Sequence, residues 1–215
     1  GGAAESLLIN CTVVGNFVNR DGGGAYYCVG TNNIIYYNRA NQEGREYIGG
    51  AYQYSCTTPN PGGVGNVDSP PGFIDYAGGD YHLFLLSPCV DAGINQAWMI
   101  PGKPEAVDLD GNMRVKNNQA DMGAYEHGMG KPAVYVTELA GNTAELALEN
   151  IPADYPIYYR WTTNGIPRPL AEVVGETIKL TAAPTNSDNT VEVGWQLSEQ
   201  TWLPLASTDW KQRRG

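Results

Sequence analysis

Apolar and polar residues alternate over short stretches of the chain, and glycine, asparagine and proline separate these stretches. Near the start, the alternating apolar set is Leu7, Ile9, Cys11 and Val13. A period of two is typical of β-strands, because successive side chains of a strand point to opposite faces. The pattern therefore predicts short strands, almost no helix, and an interior lined by this apolar set.

Two segments near the start of the chain match after a fixed shift. Asn10–Asn16 superposes on Asn32–Asn38 with a shift of 22 residues, which places Ile35 over Val13. This shift is about one coil of a parallel β-helix, in which successive strands stack about 4.8 Å apart and like residues form ladders. The predicted structural ladders are Asn10 with Asn32 and Asn16 with Asn38.

A second recurrence indicates a longer shift. Gly23–Tyr26 matches Gly49–Tyr52 at 26 residues, which predicts about four inserted residues within positions 41–47. With these shifts, tyrosines rise in two rows on the surface. Aromatic rows can stack on sugar rings, or they can pack under loops, and both interpretations stay open. The candidate sugar-stacking residues are Tyr26, Tyr36, Tyr52 and Tyr54.

The second part of the chain alternates in a different arrangement, which begins with a hairpin at Gly141 and Asn142. Further predicted strands are Ile157–Thr162, Thr177–Ala182, Val191–Leu197 and Trp202–Ala206. About seven short strands fit an antiparallel β-sandwich of immunoglobulin or fibronectin type III kind, with Trp161 in its core. The fold class is thus predicted to be all-β, with terminal coils of a parallel β-helix at residues 1–128 and a small sandwich at 129–215.

Composition excludes several functions. The chain has 27 glycines, 14 prolines and 14 tyrosines, and its net charge is −10. That charge disfavours binding to nucleic acid and to anionic membrane surfaces. No stretch reaches the roughly 18 apolar residues of a membrane-spanning helix. Four cysteines without a Cys-x-x-Cys pair, together with two histidines, do not predict a zinc site.

Oxygen-bearing side chains alternate at Asp108, Asp110 and Asn112, and Asp121 follows. Carboxylate and amide oxygens at alternate positions are typical of calcium loops. The alternative is that these residues form turns by bonding to their own backbone. No cofactor is predicted apart from this candidate structural calcium ion, and no catalytic residues are assigned.

Seven short blocks of sequence follow residue 53, and their order and spacing resemble those of a known segment. The blocks are Tyr54–Cys56, Gly65–Val67, Gly72–Asp75, Gly79–Leu83, Ser87–Gly93, Asp108–Arg114 and Asp121–Glu126. They resemble the choice-of-anchor Q segment that ends many bacterial right-handed parallel β-helix proteins of pectate-lyase-like kind. The resemblance implies a secreted or surface-attached protein in which this segment is architectural and non-catalytic.

The resemblance also bears on the cysteines. Cys56 and Cys89 lie in two blocks that look paired in that family, which implies a disulfide between the last coil and its cap. Two buried free thiols are the alternative. Cys11 and Cys28 are 17 residues apart, which is not one coil, so they are expected as buried thiols and their pairing stays open.

Three functions follow from these observations. The leading hypothesis is a non-catalytic structural or adhesive module at the cell surface or outside the cell. The alternatives are the C-terminal piece of a polysaccharide lyase or glycoside hydrolase, and a self-assembling filament or surface-layer subunit. The expected partner is a polysaccharide or a neighbouring protein chain at the open N-terminal coil, because a solenoid coil cannot bury its face alone.

Overall fold

The computed structural model describes residues 1–100, 103–130, 132–151, 156–175, 177–181, 187–198 and 201–211. Every regular element in these ranges is a β-strand, which confirms the all-β prediction. None of the described residues forms a helix, so none forms one that could cross a membrane. The chain divides into two compact units, residues 1–131 and 132–215.

Short parallel strands are stacked in the first unit. In chain order they are β1 (Ala3–Ala4), β2 (Leu7–Ile9), β3 (Thr12–Val14), β4 (Phe17–Val18), β5 (Ala25–Tyr26), β6 (Val29–Thr31), β7 (Ile34–Tyr36), β8 (Arg39–Ala40), β9 (Tyr47–Ile48), β10 (Ala51–Gln53) and β11 (Cys56–Thr57). They pair as β1-β5-β9, β2-β6-β10, β3-β7-β11 and β4-β8. Every pair is parallel, and all pairs share one register, in which Ala3 pairs with Ala25 and Val13 with Ile35. This register is the shift that the asparagine segments predicted.

The corners between these strands carry residues with left-handed backbone conformation, and equivalent corners are separated by the same interval as the strand partners. The rows, with φ values in degrees, are Glu5 (46), Tyr27 (47) and Gly49 (60); Asn10 (51), Asn32 (57) and Tyr54 (47); Gly15 (68) and Tyr37 (60); and Gly22 (70) and Gly44 (63). Glycine and asparagine adopt this conformation at little cost, whereas a tyrosine is strained by about 1–2 kcal/mol. Each coil therefore turns at the same place.

The longer shift, which was predicted from the match of Gly23–Tyr26 with Gly49–Tyr52, is wrong. Tyr26 pairs with Ile48, and Ala51 pairs with Val29, so the register does not change along the coils and no residues are inserted. The two Gly-Gly-Ala-Tyr segments lead into strands of different ladders, β5 and β10. They look alike because both begin at a glycine-containing corner, but they occupy different corners of the coil.

The interior of the coils differs from the predicted apolar set at one end. Leu7 is 66% exposed, whereas Leu8 is buried together with Cys28, Ile35 and Tyr52. The left-handed corner at Asn10 resets the alternation between β2 and β3, so that one period of two cannot run through both strands. Cys11 and Val13 pack against this buried cluster, as predicted.

The rest of the first unit, residues 73–130, covers one side of the coils and is named the cap. An antiparallel hairpin of β12 (Phe73–Asp75) and β13 (Asp80–Leu83) is followed by turns and isolated bridges up to residue 130. Ile34 of β7 is buried there against Leu83, Val90 and Met122, in a second apolar cluster. The neighbouring Ile35 belongs to the coil interior, so β7 has apolar side chains on both faces.

Two antiparallel sheets form the second unit. Its strands are β14 (Ala133–Ala140), β15 (Thr143–Glu149), β16 (Ile157–Thr163), β17 (Ile166–Pro167), β18 (Ala171–Glu172), β19 (Thr177–Thr181), β20 (Asp188–Ser198) and β21 (Thr201–Lys211). One sheet has the order β14-β15-β19, and the other has the order β17-β16-β20-β21 with β18 also on β16. Of the predicted strand 177–182, residue 182 lies outside the described residues.

The core of the second unit lies between the two sheets. Leu146 and Ile178 from the smaller sheet are buried with Val191, Val193 and Trp210 from the larger one. Trp161 packs against this cluster but stays partly exposed. Apolar residues from both sheets thus close one core, as in a β-sandwich.

Replacing Gly50 by alanine should destabilise the first unit severely. Gly50 has φ of 85°, and a Cβ atom there would overlap the carbonyl oxygen of Cys28. Gly62 is the matched control, because its φ is 76° but no atom lies within 4 Å of the added carbon. We expect Gly62→Ala to lower the free energy of unfolding by about 1 kcal/mol and Gly50→Ala by about 3 kcal/mol or more. Equal losses in urea denaturation would contradict the close contact.

Candidate functional site

Four aromatic side chains meet at one surface of the first unit, which we name the aromatic patch: Tyr37, Phe73, Tyr76 and Tyr81. The ring centres of Tyr37 and Tyr76 are 4.5 Å apart, and Phe73 stacks on Tyr76 at 6.4 Å with an interplanar angle of 19°. Tyr81 contacts Phe73 edge to face at 5.5 Å. Tyr37 and Tyr76 are 36% and 38% exposed, so parts of their rings are open to solvent.

The patch forms because a corner of the coil meets the hairpin. Tyr37 follows β7 in a left-handed corner, and its ring contacts that of the neighbouring Tyr36 edge to face, with centres 4.9 Å apart. Tyr76 lies in the turn of the β12–β13 hairpin, where the Asp75 carboxylate accepts a 2.9 Å hydrogen bond from the Gly78 N–H. Phe73 anchors the patch by packing against the second apolar cluster.

The predicted sugar-stacking tyrosines do not form a common surface. Tyr36 and Tyr52 are buried, with 9% and 4% exposure, in two different apolar clusters. Tyr26 is exposed and contacts the ring of Tyr27, while the ring of Tyr54 covers Gly65. The prediction of two rows fails because it depended on the longer shift. The aromatic surface that does form takes only Tyr37 from the coils. Its other residues, Phe73, Tyr76 and Tyr81, come from the β12–β13 hairpin.

Asparagine side chains connect successive coils. Asn32 Nδ2 lies 3.4 Å from Asn10 Oδ1, and the Asn16 side chain donates a 3.0 Å hydrogen bond to Asn38 Oδ1. Asn38 in turn donates to the carboxylate of the buried Glu46 at 2.8 Å. The structure thus brings both predicted pairs together.

A third ladder was not predicted from the sequence. Asn33 accepts a hydrogen bond from the Cys11 N–H at 2.9 Å and donates to the Leu8 carbonyl at 3.0 Å. Its own N–H donates to Ser55 Oγ at 3.1 Å, and Ser55 lies 22 residues further along the chain. The adjacent Asn32 and Asn33 therefore serve different ladders. The Asn-Asn pair itself was the only signal in the sequence.

The candidate calcium residues make hydrogen bonds within the chain. The Asp108 carboxylate accepts hydrogen bonds from the N–H groups of Asp110, Asn112 and Glu126, and from the Asn112 amide. Burial raises the pKa of Asp108, but these bonds outweigh it and hold the pKa below 3.8. The Asp121 carboxylate accepts hydrogen bonds from the backbone N–H groups of Asp91 and His127. These contacts are those of turns and caps.

No three His, Cys, Asp or Glu side chains converge as a metal site within the described ranges. A calcium ion at Asp108, Asp110, Asn112 and Asp121 therefore stays a prediction. Melting in the presence of excess chelator tests it, because removal of a structural ion lowers the melting temperature.

His82 joins the hairpin to the loop that contains Asp110. Its Nδ1 lies 2.5 Å from Asp80 Oδ1, its Nε2 lies 2.6 Å from Asp110 Oδ2, and its ring packs on Tyr125 with centres 4.1 Å apart. Hydrogen bonds to Asp110 and then to Asp80 raise the pKa of His82 above 6.5. Both nitrogens donate only in the imidazolium form, so this contact favours a protonated histidine.

Arg114 and Glu126 form a buried ion pair close to this loop. Arg114 Nη1 lies 3.2 Å from Glu126 Oε1 and also donates to the Gly123 carbonyl at 2.9 Å. Glu126 Oε2 accepts the Asp121 N–H at 2.9 Å. Burial, and then the charge of Asp121, raises the pKa of Glu126 to about 8 despite the arginine. Burial likewise raises the pKa of Asp121 to about 6.

Cys56 and Cys89 are fully buried in the second apolar cluster, and both are thiols in the structure. The Cys56 thiol donates a 3.2 Å hydrogen bond to the Ser69 carbonyl. Its interaction with the Cys89 side chain, and then burial, raises the pKa of Cys56 above its usual range. The structure therefore brings the predicted pair into contact without a covalent bond. The disulfide stays a prediction. Cys11 and Cys28 are also free, and Cys28 is buried.

No protein-family model and no curated protein matches the chain. Among solved structures, a fibronectin type III domain of the human collagen α-1(XX) chain is 11% identical, with 42% of this chain and 90% of that chain covered and a TM-score of 0.33. The chicken CNTN1 FN1-FN3 domains are 14% identical, with 46% and 38% covered and a TM-score of 0.33. A myokine structure is 17% identical, with 39% and 97% covered and a TM-score of 0.30. The strand pairing of the second unit is what defines its sandwich.

The stability of the chain should fall as the pH rises from about 5 to about 8.5. Glu126, Asp121 and His82 all have raised pKa values in the folded chain, so each binds its proton more tightly when folded than when unfolded. Their contributions are present at low pH and are lost as the pH rises through the folded pKa values. Calorimetric melting temperatures across this range measure the effect.

The variant Glu126→Gln is the control for this pH dependence. Because glutamine does not titrate, its melting temperature should change less with pH than that of the parent chain, even though loss of the ion pair with Arg114 lowers it overall. A melting temperature of the parent chain that rises toward alkaline pH would contradict the assignment.

Oxidative refolding should join Cys56 to Cys89. The two thiols touch, and Cys11 and Cys28 are not placed against them in either apolar cluster. Alkylation under denaturing conditions should then label two cysteines instead of four, and peptide mapping should link Cys56 with Cys89. In Cys89→Ser the labelled number should be three before and after oxidation. Labelling of all four thiols in the oxidised parent chain would refute the disulfide.

Proposed function

We propose that this chain is a non-catalytic structural or adhesive module of an extracellular bacterial surface protein. The observation that supports this most strongly is the uniform register of the four parallel ladders. That register is expected of the end coils of a right-handed parallel β-helix, which is a rigid and extended scaffold. The second unit adds a sandwich of immunoglobulin or fibronectin type III kind, which serves as a spacer or an attachment domain.

The use of polar side chains in the first unit supports a structural role. Asn33, Asn38 and Asp108 direct their polar atoms to groups of the chain itself. Arg114 and Glu126 likewise bond to each other and to backbone groups. A catalytic acid or base must instead be free to reach a substrate. These residues therefore hold the coils and their cap in place.

Adhesion is assigned to the aromatic patch. Its rings come from a coil corner and a hairpin that are both tied into the apolar clusters, so the patch is held in one arrangement. The apolar face of a sugar ring stacks on such aromatic faces, and rigid placement reduces the entropy that binding costs. The proposed ligand of this surface is a polysaccharide. Each of the strands β1–β4 pairs on one side only. Binding of a neighbouring chain at their free edges stays a prediction.

Removing the ring of Tyr76 should weaken the binding of the chain to a polysaccharide that the parent chain binds. Tyr76 contacts both Tyr37 and Phe73 and is exposed, so Tyr76→Ala removes the centre of the patch without opening a core. We expect an approximately 3- to 10-fold loss of affinity, as stacking of aromatic groups contributes about 0.5–1.5 kcal/mol. Affinity electrophoresis in gels that contain a panel of neutral and acidic polysaccharides measures it.

Two further variants make this experiment specific. Tyr76→Phe keeps the ring and should bind as the parent chain does. Tyr135→Ala removes a tyrosine of the second unit that is 46% exposed, and it should leave binding unchanged. Equal losses in Tyr76→Ala and Tyr135→Ala would argue against the patch. Depolymerisation of a polysaccharide by the purified chain would overturn the non-catalytic assignment.

A further inference from the structure

A groove crosses the outer face of the larger sheet of the second unit. Its volume is about 360 Å³, and it is lined chiefly by Arg160, Thr162, Arg168, Thr190, Glu192 and Ser207. That volume lies within the roughly 300–1,000 Å³ of small-molecule sites.

Strand pairing places the lining residues in two rows. Thr162 of β16 is opposite Thr190 of β20, and Arg160 is opposite Glu192. Glu192 is in turn opposite Ser207 of β21, and Thr162 is opposite Pro167 of β17. Directly opposed side chains of neighbouring strands lie within about 5.5 Å of each other. The groove is therefore built on the register of four paired strands.

One of the two arginines is already neutralised. Arg160 Nε lies 2.6 Å and its Nη2 lies 2.5 Å from Glu192 Oε2. The Trp202 indole N–H donates to the same oxygen at 2.8 Å, and the Arg160 guanidinium lies 4.8 Å from the centre of the Trp202 ring. This wall of the groove is thus fixed by internal contacts.

Arg168 differs, because its charge has no counter-ion in the described part of the chain. The Arg168 guanidinium lies 5.4 Å from the centre of the Trp161 ring, and the backbone N–H of Arg168 donates to the Trp161 carbonyl at 2.8 Å. A cation–π contact of this kind is made with the ring face and does not use the N–H donors in hydrogen bonds. Among the described residues, the hydroxyls of Thr162 and Ser207 likewise have no hydrogen-bond partner in the chain.

We propose that this groove binds a carboxylate-bearing sugar residue, a hexuronate of an acidic polysaccharide. Arg168 takes the carboxylate through two parallel N–H···O bonds, and the hydroxyls of Thr162 and Ser207 bond to hydroxyls of the sugar ring. Glu192 offsets the charge of Arg160, and Asp209 borders the groove, where it accepts the Thr190 hydroxyl at 2.6 Å. Arg168 is thus the lining cation that has no ion-pair partner among the described residues. This site goes beyond the proposed adhesive role of the aromatic patch, and it lies in the other unit.

Binding of a galacturonate trisaccharide to the full chain tests the proposal. Calorimetric titration should show saturable binding, and Arg168→Gln should weaken it about 10-fold or more, since a hydrogen bond to a charged group contributes about 1.5–3 kcal/mol. Arg168→Lys keeps the charge but not the planar fork, so its affinity should lie between those of the parent chain and of Arg168→Gln. The corresponding neutral galactose trisaccharide should bind at least about 10-fold more weakly than the galacturonate.

Lys179→Gln is the matched control, because it removes one positive charge from an exposed residue of the smaller sheet. It should leave the affinity unchanged, and all variants should keep the melting temperature of the parent chain. Equal weakening by Lys179→Gln would mean diffuse attraction to the surface and would overturn the site. No saturable binding, or equal binding of the neutral trisaccharide, would overturn it as well. Tyr76→Ala should not affect this titration, which separates it from the test of the aromatic patch.

Discussion

The fixed position of the left-handed corner in each coil is the constraint on which the first unit depends. The corners at Glu5, Tyr27 and Gly49 recur at one constant interval, and those at Asn10, Asn32 and Tyr54 recur at the same interval. Because side chains alternate along a strand, a slip of one residue would expose the interior set and bury the polar one. The corners prevent such a slip, since each restores the register before the next strand begins. At these corners the ring of Tyr27 covers Gly49, and the ring of Tyr54 covers Gly65.

The same corners hold the cap and, through it, the candidate site. The side-chain amide of Asn32 bonds to both the N–H and the carbonyl of Ile94, each at 2.8 Å, so it replaces a neighbouring strand. The Gly123 N–H donates to the Asn32 carbonyl at 2.8 Å, and the Ala124 N–H donates to Thr12 Oγ1 at 2.9 Å. Since the cap packs on β7 in the second apolar cluster, the β12–β13 hairpin is held beside Tyr37. Coil register and the aromatic patch are therefore parts of one arrangement.

Local patterns predicted the strands well but not the site. The match of Asn10–Asn16 with Asn32–Asn38 reports the register, because identical residues stack in successive coils. The Gly-Gly-Ala-Tyr match misleads, since a glycine-containing corner can precede any strand of the coil. The patch could not be predicted, because Tyr37 and Tyr76 meet only through packing of the hairpin on the coil. The contact of His82 with Asp110 is equally non-local. In the second unit, alternation located the strands, but only the cross-strand register places Thr162 beside Thr190.

The two proposed binding surfaces present different side chains, and this difference bears on function. In the first unit, Asn33, Asp108 and Arg114 bond to the backbone, and the proposed contact with a ligand is made by the ring faces of the aromatic patch. On the outer face of the second unit, Arg168 keeps its donors, because aromatic stacking holds it without using them. Aromatic faces select for the apolar side of a sugar and ignore its charge, whereas a guanidinium selects for a carboxylate. The two proposed surfaces would recognise different features of a polysaccharide, so we expect that each can be weakened by mutation without loss of the other.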